Sequence, residues 1–294
     1  MIIAPTIISL REGIEAALVI AIMLSYLRKT NRGDLRRFVL GGAGVALISS
    51  VGIALLMGFV WGILEGPVLA TFEGFVVLIA ALLLTTMILW MWKAGPKVSS
   101  DIEDSVERKS LSQSGVGVAL LSFALVMREG VELVLFSMAL VIQDGLQVYL
   151  GVTIGLLIAV VLGLGIYQGS LRISLRSFFK WTSAILILVA AGMVAYGIHE
   201  LQEAGLLLIG PLEVWNINPP VLPDGSYPLL HDNGLIGGLL KAMFGYNGNP
   251  SLLEVTGYVI YLLILAGYYT YQQRHPQAYT VTSAHEETPV SVTS

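Results

Sequence analysis

The sequence predicts an all-α, polytopic membrane protein with seven transmembrane helices, and three observations carry that prediction. Of 294 residues, 55% are hydrophobic and only 12% are charged, about half the charge of a soluble globular chain. The mean hydropathy is +0.80. The apolar residues gather into seven runs of roughly 20 residues or more, each enough to cross a hydrocarbon core of about 30 Å. The absence of cysteine excludes disulfides, iron–sulfur ligation and thiolate metal sites.

The runs fall at 3–27, 38–60, 67–92, 116–141, 147–169, 181–203 and 251–272. The first is expected to be retained rather than cleaved as a signal peptide, since no basic segment precedes it and Arg11 and Glu12 interrupt it. Short connectors join most runs. The exceptions are a mixed-charge, solvated connector at 93–115, a Pro-, Gly- and Asn-rich loop at 204–250, and a polar tail at 273–294 that is expected to be disordered. Within the long loop, the apolar patch Leu235–Phe244 suggests an ordered cap or a partial re-entrant segment.

Basic residues set the orientation. Arg28, Lys29, Arg32, Arg36 and Arg37 follow the first run, and Lys93, Lys97, Arg108 and Lys109 follow the third. Arg172, Arg176 and Lys180 follow the fifth, and Arg274 follows the seventh. Apart from the residues inside runs, only Lys241 falls on the other side. The positive-inside rule makes the basic side cytoplasmic, so the N-terminus and the 204–250 loop lie outside and the tail inside.

Two runs carry the same charged word. REGIE occupies Arg11–Glu15 in the first and REGVE occupies Arg128–Glu132 in the fourth. The two lie three spans apart, so the copies traverse the membrane in opposite directions. This predicts a 3+3 inverted repeat, 1–92 and 116–203, plus one extra helix at 251–272, with the site between the halves.

On a helix, residues three apart share a face. Glu12 therefore points with Glu15, and Glu129 with Glu132. Arg11 and Arg128 each reach the glutamate four residues on, and Gly13 and Gly130 allow a neighbouring helix to come close. Six unpaired charges at mid-membrane would penalise insertion by about 15–20 kcal/mol, so they must face the bundle interior, pair, or line a hydrated cavity. If the two faces meet, four carboxylates and two guanidiniums converge, a set suited to a hard multivalent cation such as Fe(III), Mn(II), Mg(II) or Ca(II). The simpler reading is a pair of local ion pairs that tie helices together.

The paired words on the first and fourth spans resemble those of the oxidase-dependent iron permeases, the family of the yeast high-affinity iron permease and its bacterial relatives. The resemblance covers roughly 1–272, which it implies is one transmembrane permease domain. It implies iron import across the plasma or bacterial inner membrane, with Glu12, Glu15, Glu129 and Glu132 as metal ligands or relay groups. Iron would then be transported substrate, with no permanently bound cofactor. The resemblance further implies a separate extracytoplasmic iron oxidase or iron-delivery protein as partner, alongside membrane lipid, and no nucleic acid.

Secondary candidates lie nearer the outer side. Glu73, in the word FEG, sits roughly 9 Å into the third span at 1.5 Å per residue. His199, Glu200 and Glu203 close the sixth span in HELQEAG. Glu73 and Glu200 are further metal candidates, with His199 and Glu203 behind them, as an acidic entrance that concentrates cations. Each also has a plainer reading: a hydrogen-bonded buried carboxyl for Glu73, and solvated helix-end groups for the others. His231 and Asp232 read as an ordinary turn, Thr85 and Thr86 as bonded to their own backbone, and Met23, Met87, Met138 and Met193 as packing.

The chain has no G-x-x-x-x-G-K-[ST] phosphate loop, and the expectation is a transporter, not an enzyme. A cation moving inward gains about 2.3 kcal/mol per charge per 100 mV. Three alternatives stay open: an intramembrane metal-dependent enzyme, which the missing H-E-x-x-H and E-x-x-H pairs disfavour, a carrier of another hard divalent ion such as manganese, and a non-transporting subunit.

Overall fold

The computed structural model describes residues 2–94, 115–167 and 175–274. Among the described residues the regular structure is helical, with no strand. Long helices occupy all seven predicted runs: α1 (Ile3–Lys29), α2 (Arg36–Ile63), α3 (Gly66–Ala94), α4 (Gly115–Asp144), α5 (Val148–Tyr167), α6 (Leu175–Glu203) and α8 (Leu252–Arg274). The short helix α7 (Leu235–Phe244) coincides with the apolar patch of the long loop. The largest boundary difference is α6, which begins six residues earlier than the hydropathy suggests. Residues 95–114 of the mixed-charge connector and the tail from 275 lie outside the described residues.

Helices α2, α3, α5, α6 and α8 are long and apolar enough to cross a membrane. Helices α1 and α4 match them in length, at 27 and 30 residues, but each interrupts its apolar run with an arginine and two glutamates.

Local chemistry sets the helix ends. Arg28 and Lys29 complement the C-terminal dipole of α1, and Asn31 turns the chain at φ 55°. Pro67 stands in the first turn of α3, where its missing N–H costs no hydrogen bond. Ser251 and Glu254 form a reciprocal capping box at the start of α8. The Glu254 N–H donates to Ser251 Oγ at 3.2 Å, and the Ser251 N–H donates to Glu254 Oε1 at 3.1 Å.

Three helix pairs dominate the packing: α1 with α5, α2 with α4, and α3 with α6. Small residues make the close approach possible. On α5, Gly151, Gly155, Ala159 and Gly163 recur every four residues along the face that meets α1. A Cβ at Gly155 would strike Ser9 Oγ and approach the Leu10 nitrogen to 2.8 Å. Across the same seam, Thr6 Oγ1 donates to the Gly151 carbonyl at 3.0 Å. Gly42 of α2 lies against the Ala119 carbonyl of α4, and Ser122 Oγ donates to the Val39 carbonyl at 2.8 Å. In α3 and α6, Cβ atoms at Gly74 and Gly197 would each stand 3.2 Å from the other's carbonyl oxygen.

The central core draws Ala4 and Ile8 from α1, Ala80 and Leu84 from α3, Phe136 and Leu140 from α4, and Leu186 and Ala190 from α6. Large apolar side chains such as Leu55, Val161 and Ile264 point outward and are exposed, the pattern a lipid-facing surface requires.

The 204–250 segment covers one end of the bundle. Its two arms are pinned together where the Val214 N–H meets the Pro250 carbonyl and the Ile217 N–H meets the Gly248 carbonyl. Helix α7 ends at Gly245, which has φ 67° and packs backbone to backbone on Gly192 of α6. Gly192 lies eleven residues before the end of α6, so the segment descends about 16 Å along that helix.

Replacing Gly155 with leucine forces a side chain into the α1 seam and should cost about 1–3 kcal/mol, read as a lower unfolding midpoint in detergent. Gly52, with open space where a Cβ would be, should accept alanine without loss.

Candidate metal centre

The charged words meet where α1 crosses α4. Helical spacing turns Glu12 and Glu15 to one face, and Glu129 and Glu132 to the facing one. Oxygens of Glu12, Glu15 and Glu129 come within 4.8 Å of one another. Two oxygens on opposite sides of one ion at about 2.0–2.4 Å would be separated by just this range. Glu132 is drawn aside by Arg128, whose Nε donates to its Oε1 at 3.0 Å and stands 4.0 Å from Glu129 Oε1. Glu132 still lies close enough to Glu12 and Glu15 to act on them electrostatically.

Both oxygens of Glu12, one of Glu129 and one of Glu132 are buried without a hydrogen-bond partner. Buried carboxylate oxygens left this way are costly unless a cation or a proton joins them. Arg11 donates from Nε to Glu15 Oε1 at 3.2 Å, while its Nη1 and Nη2 have no partner. The two arginines differ in surroundings. Arg11 is fully buried and Arg128 is 48% exposed. Arg11 lies 5.9 Å from the centre of the Phe179 ring on α6, and Arg128 lies 5.5 Å from that of Trp90 on α3.

Both motif glycines stand at tight crossings. A Cβ on Gly13 would sit 2.6 Å from the Ala159 Cβ of α5, and one on Gly130 would collide with Ser50 Oγ of α2.

The secondary candidates form a separate region toward the capped end. Glu73, half-buried, accepts a hydrogen bond from Trp61 Nε1 at 2.6 Å. Glu200 lies within electrostatic reach of both Glu73 and Glu203. Glu200 is buried and Glu203 exposed. His199 Nδ1 pairs with Glu254 Oε1 at 3.0 Å, and both line a cavity of about 240 Å³ beneath the cap together with Tyr196, Asp232 and Lys241. Asp232 is engaged by Asn218 Nδ2 at 2.7 Å and the Gly248 N–H at 2.9 Å, as a structural turn residue. In that turn-rich cap, the Ser226 hydroxyl and N–H hold the Asp224 carboxyl below its usual range.

Sequence reading passed over Glu254, Trp61, Phe179 and Ser183. The S-x-x-E spacing at 251–254 would have pointed to Glu254 as a helix cap; the other three carry no local signal.

Apolar spanning helices around a buried charged centre define a multi-pass membrane protein. The iron permease FTR1 family matches residues 2–277. The chain is 33% identical to the ferrous iron permease EfeU of Yersinia pestis over 262 residues, which is 88% of this chain and 90% of that one. It is 36% identical to EfeU of Escherichia coli O6:K15:H31, over 88% of this chain and 92% of the relative. It is 35% identical to an uncharacterized protein of Archaeoglobus fulgidus, over 89% and 92%. No solved structure matches the chain. The chain belongs to the iron permease FTR1 family: it is a transporter rather than an enzyme.

Glu254 binds the His199 ring, the Asn247 side chain at 2.8 Å and the Ser251 N–H at once. Glu254→Ala should therefore lower stability by about 2–3 kcal/mol. The expected readout is a lower thermal midpoint in detergent with faster proteolysis inside 204–250.

Proposed function

We propose that this protein carries iron inward across the cell membrane through a site where α1 and α4 contribute Glu12, Glu15 and Glu129 directly. Glu132 stands ready to join when Arg128 releases it. The observation that carries this reading is the convergence of three carboxylates from two helices, with buried oxygens left unpartnered. Iron is cargo on this reading, and no resident cofactor is needed. The ferrous iron permeases among the relatives favour Fe(II) as the ion that enters the site. A separate extracytoplasmic protein that oxidises or delivers iron belongs to the same reading, as does a plasma or bacterial inner membrane.

The packing supports seven spans built as two inverted halves. Exchanging α1, α2 and α3 with α4, α5 and α6 turns the α1–α5 contact into α4–α2 and leaves α3–α6 and α1–α4 unchanged. The minor contacts obey the same exchange: α3–α4 answers α1–α6, and α1–α2 answers α4–α5. Halves related in this way place the site on the axis between them. The basic connectors put the N-terminus outside and make the 204–250 cap extracytoplasmic, with Glu73 and Glu200 as an acidic approach to the centre. A membrane potential then drives a divalent ion inward with about 5 kcal/mol per 100 mV.

The test is uptake of radiolabelled iron, kept ferrous with ascorbate, into proteoliposomes holding this protein alone. Glu12→Gln and Glu129→Gln should each lower uptake by about 100-fold or more, while Glu65→Gln, at an exposed turn, should not. Full-rate uptake by both site variants would overturn the assignment, and equal uptake of manganese would widen the substrate.

A further inference from the structure

Among the described residues, one buried hydroxyl has no hydrogen-bond partner. Several others within the spans close back on their own helix: Ser9 to the Pro5 carbonyl at 2.7 Å, Ser50 to Ala46 at 2.9 Å, Thr85 to Ala81 at 2.6 Å and Thr182 to Phe178 at 3.0 Å. Ser183 of α6 does not. It is 1% exposed and its Oγ has no partner.

The face of α6 that carries this hydroxyl is the one that Arg11 meets. Arg11 lies over Phe179, one turn before Ser183 and on the same face. The guanidinium also has unused donors. Only its Nε is engaged, by Glu15, and both Nη atoms are buried without partners.

We infer that Phe179 and Ser183 form a berth for Arg11 that is used when the centre holds its cation. This inference rests on the site proposed above. Arg11 supplies the positive charge that Glu15 needs. An arriving dication competes for the same carboxylate, and two cations facing one anion repel. Arg11 must then release Glu15 without leaving the bundle, because every face around it is protein. The Phe179 ring already lies against the guanidinium, and Ser183 Oγ, one turn on, offers an acceptor to Nη once Arg11 lets go of Glu15. Ser183 is thus a positioning residue, acting on the ion through Arg11, and Arg11 is a built-in counter-cation rather than a static strut.

The experiment measures ferrous iron uptake in proteoliposomes across iron concentrations for the wild type, Ser183→Ala, Ser183→Thr and Glu12→Gln. Loss of the hydroxyl destabilises the loaded state only, so Ser183→Ala should raise KM roughly tenfold with maximal rate retained. Ser183→Thr, which keeps the hydroxyl, should restore KM. An unchanged KM in Ser183→Ala overturns the berth, and so does equal impairment in Ser183→Thr, which would assign the effect to packing. If Glu12→Gln retains full uptake, the carboxylate site itself fails. If Glu12→Gln loses uptake while Ser183→Ala is silent, only the berth fails. Should Ser183→Ala not assemble, Phe179→Leu is read in the same assay and should raise KM without lowering the maximal rate; an unchanged KM there overturns the berth.

Discussion

A charge inside a membrane bundle must be answered by another charge, by hydrogen bonds or by water, and that constraint organises this structure. Two arginines and four glutamates sit within helices that are otherwise apolar. None of the four carboxylates faces outward: Glu12 and Glu129 are buried, and Glu15 and Glu132 are 12% and 13% exposed. The arginines neutralise part of the set through Glu15 and Glu132. What remains is a pocket of carboxyl oxygens without protein partners. On the proposed reading, the interaction that would destabilise the bundle when unmet is what gives an ion its hold.

Holding such a pocket closed to lipid demands helices that approach more closely than ordinary side chains permit. The glycine and alanine repeat along α5 accepts α1, and Gly42 and Gly130 let α2 press on α4. These seams fix the depth and facing of the motif helices, so packing and electrostatics are one design here. Arg11 is sealed beneath Phe179, whereas Arg128 is half exposed beside Trp90. The centre therefore presents a closed side and a more open one.

Much of this was legible in the sequence because the bilayer imposes a simple code. Runs of apolar residues of membrane length located all seven long helices, with no end more than six residues off, and the charged words in the first and fourth runs stood out against them. Even α7 coincides with its apolar patch. Partnership between helices was not legible: small residues on α5 signal a close neighbour but not that the neighbour is α1. Glu73 illustrates the limit. Its depth suggested an ion approach, but its bond to Trp61 depends on how the turn at 64–65 brings the end of α2 to Glu73. Ser183 has nothing in its local sequence to mark it; only a buried hydroxyl left without any partner sets it apart.

The contact between Gly192 and Gly245 has a mechanical side. Side-chain contacts soften because rotamers adjust; two bare backbones touching have no such give. The depth reached by the loop that carries α7 is thus set by chain atoms, as a shoulder on a shaft sets how far it enters a bearing. Any further inward travel of that segment would drive backbone into backbone at this stop.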